Sequence, residues 1–211
     1  MRATQSDPRT QGWMTGFPPP DDKAIRFTDG DYFAFPKSRW TVCHFRELMP
    51  TVGVPRGPGA AVPFLRKLDT GIDAVTFTPI GGARPMTWRE AFDANYTDGI
   101  IVLHKGKVVY ERYAGCLDAT GQHGAMSVTK SLTGLLGEML VAEGVIDDTA
   151  RVDTIVPELS KSAFGDATVR QVMDMTTGLQ YSEDYSDPNS EVWRYSASGS
   201  PLPRPPDYAG P

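Results

Sequence analysis

The sequence predicts a mixed α/β (α+β) fold, and two observations carry that reading. Two β-rich runs, residues 100–103 and 108–113, are joined by His104-Lys105-Gly106-Lys107, a short glycine-containing loop of the kind that closes a hairpin. Further on, apolar residues at Val128, Leu132, Leu135, Leu136, Met139 and Leu140 repeat with the period of a helix, and Gly144 supplies a stop. With 211 residues, 40% hydrophobic and 22% charged, the chain is long enough for one core or two small lobes.

Taken in order, residues 1–38 are rich in Pro, Asp and Gly and lack periodicity. They predict an extended arm over the surface, anchored by Trp13, Phe17, Phe33 and Phe35. The apolar segment from Trp40 predicts a short helix stopped at Pro50, and residues 51–85 return to loop chemistry. Thr87 is placed to cap a helix through 88–92, with Glu90 at the capping-box position. After the hairpin, residues 114–124 form a polar connection to the helix over 127–143, which the apolar stripe predicts to be largely buried. A second helix is expected around 168–176, ended by Gly178. No stretch repeats at a fixed period.

Ser127 and Lys130 open the long helix. Residues at i and i+3 share a helix face, so the hydroxyl and the amine can meet. A serine hydroxyl is a weak nucleophile until a neighbouring base takes its proton, and Ser-Lys pairs are one arrangement that does this. Burial of the first turn would favour a neutral amine able to act as that base. With 12 serines and 7 lysines, chance alone yields about 0.4 Ser-x-x-Lys matches, so the spacing is weak by itself. The plain structural reading is an N-cap serine with a solvent-facing lysine.

The order of motifs decides between them. The hairpin, Ser-Val-Thr-Lys-Ser at 127–131, residues 143–148, Ile155-Val156-Pro157-Glu158-Leu159 and residues 168–179 together resemble the class C β-lactamase-like serine hydrolases. Residues 181–188 and the Trp40-to-Pro50 segment are similar to the 6-aminohexanoate-dimer (nylon oligomer) hydrolases. The resemblance covers roughly 39–199. It implies the N-terminal portion of a serine β-lactamase/penicillin-binding-protein-like fold. Residues 1–90 would then be an irregular extension, and 91–211 the first part of the catalytic domain. It also implies acyl-enzyme chemistry on a small amide or ester substrate, with Ser127 as nucleophile, Lys130 as its proton partner and Tyr185 reaching the substrate amide.

Two family motifs have no counterpart. Tyr195-Ser196-Ala197-Ser198 only echoes Tyr-x-Asn, and no Lys-Thr-Gly-type strand follows before the loop-like residues 204–211. The sequence therefore reads as a truncated hydrolase that is a poor catalyst alone. The alternative is a catalytically incomplete fragment or binding module.

Other chemistries lack support. His44, His104 and His123 are scattered, the acidic residues Glu183, Asp184, Asp187 and Glu191 miss the cation-loop spacing, and no nucleotide-binding glycine pattern occurs. No cofactor and no metal is expected. A net charge of −5 and a pI near 5.2 argue against nucleic acid. No apolar run approaches a membrane span, and the first eight residues lack a secretory core. Cys43 and Cys116, 73 residues apart, read as free thiols, and with them the expected location is cytoplasmic. The sequence leaves the oligomeric state open.

Overall fold

Helices and strands, most of them short, make up the elements of residues 1–199, the part of the chain that the computed structural model describes. In order they are α1 (Pro8–Gln11), α2 (Ser38–Thr41), α3 (Phe45–Leu48), β1 (Leu65–Arg66), β2 (Thr76–Phe77), β3 (Met86–Thr87), α4 (Trp88–Ala94), β4 (Gly99–His104), β5 (Lys107–Tyr113), α5 (Val128–Ala142), α6 (Val152–Ile155), α7 (Val169–Met173) and α8 (Glu191–Gly199). They fall into two compact units, Met1–Gly124 and Ala125–Pro211. The loop-like residues 204–211 lie outside the described part.

The first unit is organised by the hairpin. Lys105 (φ 49°) and Gly106 (φ 74°) both take positive φ, the backbone that a two-residue turn needs to match the twist of its strands. β4 and β5 pair antiparallel from Gly99↔Tyr113 to His104↔Lys107, with an irregularity at Val102/Leu103. β1 adds to the other edge of β5 in parallel. Val108 and Tyr110 of β5 are buried, as are Ala91 and Phe92 of α4. The Arg112 guanidinium lies 4.1 Å over the Phe92 ring. Thr87 and Glu90 form the reciprocal capping box at the start of α4. These backbone and side-chain bonds to Glu90 hold its carboxyl below the ordinary range.

The N-terminal residues are more firmly held than an extended arm. Phe17 is fully exposed and Phe33 and Phe35 are about half exposed, whereas Ser6 and Ile25 are buried. The anchors are polar as well as apolar. Arg9 Nε donates to Gly115 O at 2.9 Å. Arg39 donates to Ala3 O (2.6 Å), to Ser6 Oγ (3.0 Å) and to Asp98 Oδ1 (2.5 Å). The apolar segment before Pro50 makes two short helices, α2 and α3, broken at residues 42–44. There Trp40 stacks on His44 with ring centroids 4.0 Å apart.

The cysteines are not free thiols. Cys43 and Cys116 are joined in a disulfide, with Cα atoms 6.1 Å apart, so the argument from free thiols to a reducing compartment falls. The bend between α2 and α3 and the loop after β5 meet at one corner, where Gly124 N also donates to Val42 O at 2.7 Å. Sequence spacing could not reveal that meeting. Closing a ring over a separation of 73 residues restricts the unfolded chain, a constraint typically worth about 2–4 kcal/mol. Dithiothreitol is therefore expected to lower Tm by several degrees, measured by calorimetry with and without reductant.

The second unit opens with α5. Gly144 (φ 71°) ends it, and Val145 N reaches back to Leu140 O at 2.9 Å, the wrapped helix end that a left-handed residue permits. Arg151 bridges Thr168 across a short antiparallel contact. α7 starts with a second capping box, Thr168 with Gln171. It stops earlier than its sequence suggests, because Met175 is left-handed (φ 56°) and Thr176 N returns to Gln171 O at 2.9 Å. Arg170 ties α7 to α5 and the loop between them, with ion pairs to Glu138 (2.5 Å), Asp148 (2.7 Å) and Asp174 (3.5 Å). Residues 195–198, the superficial tyrosine echo, lie within α8.

One expectation is overturned. α5 contains no buried residue, and Val128, Leu132, Leu135 and Leu136 are all more than half exposed. The period of the stripe marks which side of the helix is apolar, but it does not guarantee that the described chain supplies a cover. Lys130 is exposed with it.

Candidate active site

The residue before α5, Met126, has φ 46°. Ser127 follows in right-handed helical conformation (φ −69°, ψ −11°) and its side chain makes no capping bond. The helix then winds in tight i→i+3 turns. Val128 N donates to Ala125 O, Thr129 N to Met126 O and Lys130 N to Ser127 O, at 3.0, 3.1 and 3.0 Å. The Ser127 hydroxyl is therefore not spent on the helix end, contrary to the plain reading of a cap. Instead Lys130 Nζ donates to Ser127 Oγ at 3.1 Å. The backbone N–H of Ser127 makes no hydrogen bond among the described residues.

Ser127 and Lys130 are thus brought together as their spacing predicts, but at an exposed position rather than a buried one. Tyr185 is not joined to them by any hydrogen bond among the described residues. Its ring stands edge-on to Trp193 with centroids 5.8 Å apart, and together with Ser186 and Pro188 the two line a shallow cleft of about 250 Å³. The Trp193 indole N–H donates to Asp187 O at 2.9 Å, which fixes that wall. The acidic loop is shaped by local turns. Asp184 accepts from both the N–H and the hydroxyl of Ser186, and that hydroxyl holds its carboxyl below the ordinary range. Asp187 accepts from Asn189.

The histidines have other partners. His44 stacks on Trp40, His104 ends β4 at the hairpin, and His123 Nε2 lies 3.6 Å from Asp98 Oδ2. The Asp98 carboxylate beside His123 is not legible in the sequence, because the two lie far apart along the chain. Chemically, the pair at the start of α5 offers a hydroxyl not spent on a cap, an amine in contact with it and the serine's own N–H, which is unbonded among the described residues.

The family model described as Beta-lactamase matches residues 88–207. The chain belongs to the β-lactamase family. Its helices and strands are those of the serine β-lactamase/penicillin-binding-protein-like fold. The 6-aminohexanoate-dimer hydrolase of Paenarthrobacter ureafaciens is 34% identical over 176 residues, which are 79% of this chain and 42% of that protein. A solved structure from Bacillus anthracis carries the same hydrolase name as a provisional assignment. It superposes with a TM-score of 0.72 at 30% identity, covering 92% of this chain and 49% of that one. The chain therefore spans less than half the length of the curated relative it matches. Among the described residues no helix is long and apolar enough to cross a membrane.

Proposed function

We propose that this chain carries the nucleophile half of a serine hydrolase that opens an amide or ester bond in a small linear substrate. The observation that supports this is the 3.1 Å contact between Lys130 Nζ and Ser127 Oγ, on a serine that does not cap its helix. In the neutral form the amine accepts the hydroxyl proton as Oγ bonds to the substrate carbonyl carbon. The developing oxyanion takes the Ser127 N–H, a type of contact worth about 3–4 kcal/mol of barrier. The resulting ammonium returns its proton to the leaving amine or alcohol as that bond breaks, and water then releases the acid from Ser127.

At the finer level we assign the substrate to linear amides of the kind named for the 6-aminohexanoate-dimer hydrolases, with Tyr185 contacting the substrate amide. The names of both relatives support that assignment.

The uncovered α5 face supports a second reading, a chain that acylates but turns over poorly. A fluorophosphonate probe separates the cases when peptide mapping of the adduct is combined with a steady-state ester assay. An adduct on Ser127 with turnover supports the hydrolase. An adduct without turnover supports the second reading, and no adduct on Ser127 sinks both.

A further inference from the structure

The acidic loop ahead of α8 closes on itself. Ser182 N donates to Glu191 Oε2 at 3.0 Å, and Ser182 O accepts from Ser190 Oγ at 2.7 Å and from Val192 N at 3.2 Å. Ser190 and Val192 are buried, so the base of the loop is shielded from water. Between its ends the chain makes two successive turns, with Asp187 N donating to Asp184 O and Ser190 N to Asp187 O, at 3.2 and 3.1 Å. The Asp184 and Asp187 carboxylates brace these turns by accepting the backbone N–H two residues on. The course of the loop is therefore set without help from its aromatic residues.

The direction of the Tyr185 ring is a separate matter. Tyr185 lies within the first of those turns and is 64% exposed. Its ring contact is with Trp193, edge-on at 5.8 Å and 87°, an arrangement that aromatic quadrupoles favour. Trp193 is itself 43% exposed, so burial alone does not hold the indole. What ties it down is the bond from Nε1 to Asp187 O at 2.9 Å, two residues beyond Tyr185. A tryptophan fastened by its N–H to the turn it faces is a fixed wall. Tyr181 and Tyr195 pair in the same edge-on way at 6.4 Å, so a second ring of α8 steadies the chain where it enters the loop. An exposed phenol without such a wall would spread over its staggered rotamers.

We propose that Trp193 is the positioning residue of Tyr185, its indole holding the phenol in the direction from which it meets a linear amide. The proposal rests on the reading of Tyr185 as the residue that contacts the substrate amide. Trp193 touches none of the reacting atoms; it acts only through the ring it steadies. Loss of the indole therefore lowers the preference for a ligand with an amide over a ligand without one. An edge-on aromatic pair is worth about twofold to about tenfold in an equilibrium constant, and the freed phenol adds its lost order to that.

The test is protection of Ser127 from a fluorophosphonate by two ligands, the linear dimer of 6-aminohexanoate and its monomer, which lacks the amide. The readout is the ratio of the two half-protecting concentrations, with Tm recorded for each protein. Trp193→Leu is expected to cut the preference for the dimer by about fivefold or more. Trp193→Phe, which keeps a ring for Tyr185, should stay within about twofold of wild type. In a Tyr185→Phe background, where the phenol is already gone, Trp193→Leu should cost nothing further. A purely structural role would lower Tm and weaken both ligands alike, leaving the ratio unchanged, which overturns the proposal. An equal loss in the Tyr185→Phe background also overturns it, since that would give Trp193 a ligand contact of its own. Should Trp193→Leu not fold, Trp193→Met carries the same contrast. A loss in Tyr185→Phe that Trp193→Leu does not share overturns the positioning role alone. Wild type protected no better by the dimer than by the monomer, or Tyr185→Phe without effect, sinks the Tyr185 reading and the proposal with it. Absence of any label on wild-type Ser127 sinks the hydrolase reading itself.

Discussion

Replacing Lys130 by methionine is expected to slow acylation of Ser127 by about 10²–10⁴-fold, the range of a positioned general base. Methionine keeps the length and apolar stem of the lysine but presents no proton acceptor to Ser127 Oγ, which the amine contacts at 3.1 Å. Lys130→Arg should not rescue the rate, because a guanidinium stays protonated and cannot take the hydroxyl proton. Ser127→Ala should abolish the adduct altogether. Stopped-flow or gel-based labelling measures all four proteins on one scale. A Lys130→Met rate within threefold of wild type would reduce the pair to an incidental contact.

The second large effect is on stability. Asp98→Ala is expected to destabilise the first unit by about 3–5 kcal/mol, the cost of leaving one member of a buried ion pair unmatched. For a chain of this size that corresponds to a Tm lower by on the order of 10 °C. The Arg39 and Asp98 side chains are 7% and 8% exposed and lie 2.5 Å apart. Without the carboxylate, Arg39 keeps Ala3 O and Ser6 Oγ as hydrogen-bond partners and the Tyr96 ring 5.8 Å away, and its Nε is already buried without a partner among the described residues. The site is tight from the other side too. Gly115 sits at φ 60°, and a Cβ there would collide with Asp98 Oδ1, so Gly115→Ala should fall in the same direction. Calorimetry on both variants checks this. A loss below 1 kcal/mol in Asp98→Ala would mean that water reaches the pair.

These two expectations differ in how readable they were from the residues alone. Ser127 and Lys130 are one turn apart, so helical geometry brings them together without reference to anything else. The hairpin and the Thr87–Glu90 capping box are local in the same sense, and all three stand where the sequence puts them. Arg39 and Asp98 are 59 residues apart and Cys43 and Cys116 are 73 apart. Nothing local marks those pairings, because they depend on where separate segments end up. The same holds for β1, two residues long and recruited to β5 across the intervening loops. The apolar stripe of α5 failed in a different way. Its period correctly gave a helix of the right extent, but exposure depends on what packs against it. The left-handed turn at Met126 was invisible because methionine gives no hint of positive φ, unlike the Lys-Gly pair in the hairpin.

The bond between Cys43 and Cys116 has a topological meaning beyond its energy. All five strands of the described chain lie between those two residues, so both sheets, β1-β5-β4 and β2-β3, are carried on a covalent loop whose ends are held at one point. Among the described residues no strand lies outside that loop, so exchanging one of these five strands between copies would first require the loop to be cut by a reductant.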